Sequence, residues 1–166
     1  MTLAAMYTEI MTKANKIRIF KLLLVIAWMV FIFLLSGSLG SKSGSLSAGT
    51  IATVRDYLPS LSEQLATLLA RKSAHILMYA VLGILLTSLL RDYKLGRRAV
   101  VAYALVVAAL YASLDEINQY FVGGRSSSPR DVGIDVLGAA AGIAIYFVAI
   151  KIARNYTSNK TKNIVQ

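Results

Sequence analysis

The chain has one histidine, and it stands among acids and bases at helical spacings. Arg71 and His75 are four residues apart, Lys72 and His75 three, and His75 and Tyr79 four, so on a helix they share a face. Further along, Asp115 and Glu116 fall within one turn of Gln119, and Asp131 and Asp135, four apart, point the same way. Arg125 and Arg130 lie between these two groups. An imidazole flanked by Asp115, Glu116, Asp131 and Asp135 is suited to general acid or base work, with one carboxylate fixing the ring tautomer. The same set could hold a divalent cation through oxygen ligands and one imidazole; the metal ligands stay unassigned, and no other cofactor is implied. Arg71, Lys72, Arg125 and Arg130 suit an anionic head group, since guanidinium offers bidentate hydrogen bonds to phosphate, and Tyr79 and Gln119 complete the binding side.

Each residue also has a plainer role open to it. His75 can be an interfacial hydrogen bonder, Asp131 a helix cap, Asp135 one half of a structural ion pair, and Tyr79 a helix-contact residue. Arg71 and Lys72 can simply snorkel to head groups.

The elements that must position these side chains are membrane spans. Of the 166 residues, 57% are hydrophobic and 16% charged, and there is no Cys, which excludes disulfide and thiolate chemistry. The net charge of +10 would suggest nucleic acid in a soluble protein, but here the Lys and Arg fall in short blocks between long apolar runs, so no nucleic-acid partner is expected. A hydrocarbon core about 30 Å thick needs roughly 17–25 apolar helical residues per crossing. Leu22–Ser41 and Ser73–Leu90 carry no Lys, Arg, Asp or Glu, Ala99–Leu114 is uncharged and extends helically to Phe121, and Val132–Ile150 holds a single ionisable residue, Asp135. The expectation is therefore an all-α bundle with four transmembrane helices, spanning about 21–41, 72–90, 99–121 and 131–150. Residues 1–20 would form a cytoplasmic segment, 21–150 the membrane domain, and 151–166 a basic cytoplasmic tail.

Orientation follows from retention of basic residues on the cytoplasmic side. Lys13, Lys16, Arg18 and Lys21 precede the first span, Arg91, Lys94, Arg97 and Arg98 separate the second and third, and Lys151, Arg154, Lys160 and Lys162 follow the fourth. Both termini are thus expected inside a bacterial cell membrane. Arg71, Lys72, Arg125 and Arg130 then sit at span mouths on the outer side, where retention gives no reason for them.

Between the first two spans, Ser36–Gly49 reads as a Gly/Ser linker. Ser60-Leu61-Ser62-Glu63 fits a capping box that opens a helix, and Leu61, Leu65, Leu68 and Leu69 make an apolar stripe suited to resting on the outer surface before the second span. Gly123-Gly124 suit a helix stop, and Ser128-Pro129-Arg130-Asp131 a helix start in which Asp131 is the reciprocal capping carboxylate. Gly138 and Gly142 form a small-xxx-small pattern that admits another helix closely, within the chain or in an oligomer.

Arg71-Lys72-Ser73-Ala74-His75, Tyr79-Ala80-Val81-Leu82-Gly83, Asp115-Glu116-Ile117-Asn118-Gln119-Tyr120-Phe121, Gly124-Arg125, Asp131-Val132 and Asp135-Val136-Leu137-Gly138 together resemble the VanZ-like family over about residues 68–150. Members are small membrane proteins, and the founding one is associated with low-level resistance to the glycopeptide teicoplanin. The resemblance implies an envelope role. The expected partners are membrane lipids: an outward pocket would bind, with modification left open, an anionic lipid or a lipid-linked cell-wall precursor. The competing readings are a non-catalytic assembly subunit and a small proton- or ion-coupled transporter, the latter disfavoured because no inverted repeat or broken helix is seen.

This topology predicts that cysteines introduced at Ser45 and Ser126 react with impermeant thiol reagents in intact cells, whereas one at Gly96 does not. Labelling at Gly96 would reverse the orientation.

Overall fold

The computed structural model describes residues 3–41, 62–121 and 128–165, and every regular element among them is an α-helix. These are α1 (Leu3–Ser41), α2 (Glu63–Arg91), α3 (Arg97–Phe121) and α4 (Pro129–Val165). Each is long and apolar enough to cross a membrane, over Thr12–Ser36, Leu68–Arg91, Arg97–Phe121 and Pro129–Ser158. The protein is an all-helical, multi-pass membrane protein. The helices outrun the apolar stretches at both termini, because nothing in residues 3–20 or 151–165 breaks the backbone pattern and no proline interrupts it.

Two local readings are decided. Residues 36–41, which the expected span to residue 41 and the Gly/Ser stretch from Ser36 both claimed, belong to α1, and Ser36 is fully buried. The second helix is capped by Ser62, whose Oγ accepts from the Leu65 amide at 3.4 Å, and runs unbroken into the span; Ser60 and Leu61 lie outside the described residues. Leu65, Leu68 and Leu69 remain exposed, while Ala66 turns inward.

Direction and register follow from paired residues. Lys72 meets Asp131, His75 meets Asp135, and Ile76 and Ala80 lie against Gly138 and Gly142, so α2 and α4 run parallel with both sequences rising together. Tyr111 donates to the Met29 carbonyl and Ser36 to Asp115, which makes α1 and α3 parallel as well. Tyr79 lies against Tyr111, ring centroids 6.2 Å apart and tilted, and His75 lies near Asp115, so α2 and α3 run antiparallel. Helices α2 and α3 therefore form the centre, each touching the other three, and among the described residues α1 and α4 do not touch each other. Most of α1 faces outward; Phe20, Leu23 and Leu34 are each more than half exposed, as suits a lipid-facing helix.

The α2–α4 approach is close enough to exclude side chains. A Cβ on Gly142 would stand 1.9 Å from the Ala80 carbonyl oxygen, one on Gly138 2.6 Å from that of Ile76, and one on Gly83 2.3 Å from that of Ala139. In lipid, where burial of apolar surface gives no drive between helices, such backbone contact supplies the dispersion energy that holds them. The helix that Gly138 and Gly142 admit is thus α2 of the same chain.

The opposite end is tied by charge. The Lys21 ammonium donates to both Asp92 oxygens, at 2.7 and 2.9 Å, and to the Ser88 carbonyl at 3.1 Å, while Arg18 donates to the Asp92 carbonyl at 2.8 Å. Arg97 lies over Phe147, 4.5 Å from the ring centroid, joining α3 to α4. Trp28 donates to the Met78 carbonyl at 3.0 Å midway along the bundle.

Because the obstructing atoms at Gly142 are backbone, Gly142→Ala should destabilise the bundle by about 3 kcal/mol, the upper end of overpacking costs. Gly133→Ala, with nothing within 4 Å, should be neutral or gain up to about 1 kcal/mol from helix propensity. Thermal unfolding in detergent measures both, and equal midpoints would contradict the close approach.

Candidate functional site

The face of α3 that packs inward is lined by Val100, Ala104, Ala108 and Ala112 and then becomes Asp115, Glu116 and Gln119, all buried. Small residues let α3 lie close to its neighbours, and the last turns bring acids to the same line. At that end the parallel α2 and α4 both begin, so their first turns and the last turns of α3 converge. This is a direct result of chain direction: α2 and α4 start where α3 stops.

A cavity of about 240 Å³ opens between them, lined by Leu68, Arg71, Lys72, His75, Glu116, Gln119, Ser128, Arg130, Asp131, Ile134 and Asp135. Its polar residues are sorted by depth. The cations stand at the rim, with Arg71 half-buried, Lys72 37% exposed at its side chain and Arg130 exposed. The floor is buried, with His75 at 8%, Glu116 at 5%, Gln119 at 3% and Asp135 at 1%. Among the described residues no carboxylate pairs with Arg71 or Arg130, whereas Lys72 donates to Asp131 at 2.8 Å.

That ion pair corrects the expected cap. Ser128 does start α4, its Oγ accepting from the Arg130 amide at 3.3 Å, but its own amide donates to Glu116 Oε2 at 3.0 Å rather than to Asp131. Asp131 is released to reach Lys72 because Glu116, from the neighbouring helix, already holds the open amide. Glu116 therefore ties the end of α3 to the beginning of α4.

Below the floor lies a second layer. Ser36 donates to Asp115 Oδ2 at 3.0 Å, and Gln119 donates to Ser36 Oγ at 2.7 Å and to Asp115 Oδ2 at 3.0 Å. His75 Nδ1 approaches Asp135 Oδ1 at 3.4 Å, a long contact that makes no hydrogen bond. Among the described residues, both oxygens of Asp135, Asp115 Oδ1 and the Tyr79 hydroxyl are buried with no hydrogen bond. Ligand atoms of His75, Asp115 and Asp135 lie within 4.8 Å of one another, so among the described residues these three could hold a metal.

Of the residues singled out in the sequence, His75, Glu116, Asp131, Asp135, Arg71, Lys72, Gln119 and Arg130 line the cavity. Asp115 sits in the layer beneath, Tyr79 is fully buried a turn further in, and Arg125 lies outside the described residues, as do Gly123 and Gly124. Ser36 went unrecognised as a partner of Asp115. The signal was weak: a lone Ser at the end of an apolar run, inside a Gly/Ser stretch whose composition speaks for a linker.

Chemically, the arrangement presents cations to an anion at the rim and acids with one imidazole beneath. Removing the Glu116 carboxylate should loosen the α4 start: Glu116→Ala leaves the Ser128 amide without its acceptor at a cost of about 1 kcal/mol, whereas Glu116→Gln keeps a carbonyl there. Hydrogen exchange at the first amides of α4 should quicken in the alanine variant and stay unchanged in the glutamine variant.

A family model described as VanZ/LLP1 matches residues 20–151. Among curated proteins and solved structures, nothing matches. The matched segment holds all four helices' apolar cores and every cavity residue.

Proposed function

This chain belongs to the VanZ/LLP1 family, and from that premise we propose that it is an envelope protein, of the kind associated with glycopeptide resistance, whose cavity binds an anionic lipid or lipid-linked cell-wall precursor by its phosphate. The separation of charge by depth carries this reading. Among the described residues Arg71 and Arg130 pair with no carboxylate at a membrane-level mouth, and a guanidinium left beside lipid without a carboxylate is matched by a head-group phosphate. The cavity's end of the bundle is opposite the turn that carries Arg91, Lys94, Arg97 and Arg98, so retention of those residues inside turns the cavity outward, toward the surface that glycopeptides meet. The half-enclosed floor, with His75 and Glu116 beside the bound phosphate, has the groups for proton transfer to or from it.

The hydrogen bonds among Ser36, Asp115 and Gln119 favour a second reading, in which the buried polar residues are glue between helices of an assembly subunit and bind nothing. The two readings separate at the rim. In nanodiscs or by native mass spectrometry, the wild type should retain phosphatidylglycerol or a polyprenyl diphosphate over phosphatidylcholine, and Arg71→Gln and Arg130→Gln should each weaken that retention about tenfold, the worth of one charged hydrogen bond. Equal retention of neutral and anionic lipid would refute lipid recognition. His75→Asn and Glu116→Gln should accumulate at wild-type levels yet lose the glycopeptide phenotype, since a general base contributes about 100-fold or more. A full phenotype in both would leave the glue reading.

A further inference from the structure

We infer that His75, Asp115 and Asp135 form a binding site for a divalent transition cation of the zinc or manganese class, placed where the bound phosphate can complete its coordination. The part concerning phosphate rests on the lipid reading above; the cation site itself rests on geometry alone.

The first observation is a distance. His75 Nδ1 and Asp135 Oδ1 stand 3.4 Å apart, at the long end of hydrogen-bond distances, and among the described residues that oxygen accepts no hydrogen bond. Two ligands held at about 2.1 Å from one ion, at a near-tetrahedral angle, lie roughly 3.4 Å from each other. The separation is long for a hydrogen bond and right for two donors sharing a metal. The three ligand atoms together span no more than 4.8 Å, so ion binding needs the set to tighten and needs no helix to move.

The second observation is the set of orphaned oxygens. Asp135 is 1% exposed and neither of its oxygens accepts a hydrogen bond among the described residues; Asp115 is equally buried and its Oδ1 is likewise unpartnered. Buried polar atoms without partners are rare, and buried carboxylates without them are costlier still. Asp115 shows the division of labour expected of a ligand: Oδ2 is fixed by Ser36 and Gln119, which orients the carboxylate and leaves Oδ1 for the ion. One imidazole and two carboxylates with no thiolate select a cation of intermediate hardness.

The third observation is charge at the cavity floor. A phosphate drawn in by Arg71 and Arg130 would meet Asp135 and Glu116 at short range. Like charges in a low-dielectric site repel strongly. A divalent cation between the floor carboxylates and the phosphate converts that repulsion to attraction, with the cavity supplying the open coordination position. Metal site and lipid site are then two halves of one pocket.

The test uses the full-length protein in detergent. After stripping with chelator and reloading with Co²⁺, the wild type should bind one ion per chain and show the visible ligand-field absorption of a low-symmetry N/O site, and Zn²⁺ or Mn²⁺ should displace the Co²⁺ and raise the unfolding temperature. Asp135→Asn and His75→Ala should lose the absorption and the thermal response, while Lys151→Gln, an exposed position far along α4 from the cavity, keeps both. Should the buried variants fail to fold, the wild-type spectrum decides: no ligand-field bands and no metal-dependent stabilisation would overturn the site, as would bands that persist in a folded Asp135→Asn protein. Phosphatidylglycerol retention by the same samples is read separately. Lipid retained without metal overturns the cation site and leaves lipid recognition standing, whereas metal bound without lipid supports the site and removes the phosphate from it.

Discussion

The bundle depends on the backbone contact between α2 and α4, made where Gly83, Gly138 and Gly142 leave no side chain between the helices. A membrane provides almost no hydrophobic force to bring helices together, so closeness has to come from small residues. Once Ala80 and Gly142 touch, the parallel register is set. One turn nearer the helix starts, Ile76 meets Gly138, and a little further on His75 meets Asp135 and Lys72 meets Asp131. The polar pairs are therefore carried into place by the apolar contact below them. They could not drive it alone, because buried ion pairs give up most of their Coulomb attraction to desolvation.

The site is built at the one level where three helix ends coincide. An isolated span crossing the bilayer could carry an acid only at its mouth, since the centre imposes several kcal/mol on each charge. Here α3 ends with Asp115, Glu116 and Gln119 as α4 begins with Asp131 and Asp135, and α2 begins with Lys72 and His75 at the same depth. Glu116 holds the α4 start through the Ser128 amide. The result is a gradient from cations at the rim, half-buried to exposed, to buried acids over a short depth. That gradient suits a ligand that is anionic at its head and needs a cation beneath it.

Much of this was legible in the residues. Four apolar stretches of crossing length gave the fold class, because the bilayer imposes a length that few soluble helices meet uninterrupted. The i, i+4 spacings of His75 with Arg71 and of Asp131 with Asp135 put those pairs on shared faces without any knowledge of neighbours. The Ser128-Pro129 start was legible for the same reason, since capping is local. The family resemblance, which rests on the order of spaced polar positions, covers the same helices that the family model matches.

What depended on tertiary structure is every relation between helices. Sequence offered Gly138 and Gly142 to any partner; packing gave them to α2. Asp131 has the position of a cap, but Glu116, on another helix and twelve residues before Ser128, takes the Ser128 amide. Ser36 stands where the first apolar stretch meets a Gly/Ser run, and only the parallel packing of α1 beside α3 makes it the donor to Asp115. Local sequence determines which face of a helix a residue occupies, through a periodicity of 3.6 residues that needs no other element. Which residue on another helix meets that face is decided by rotation, register and distance between helices, and these arise from the fit of many small contacts that no single stretch of sequence contains.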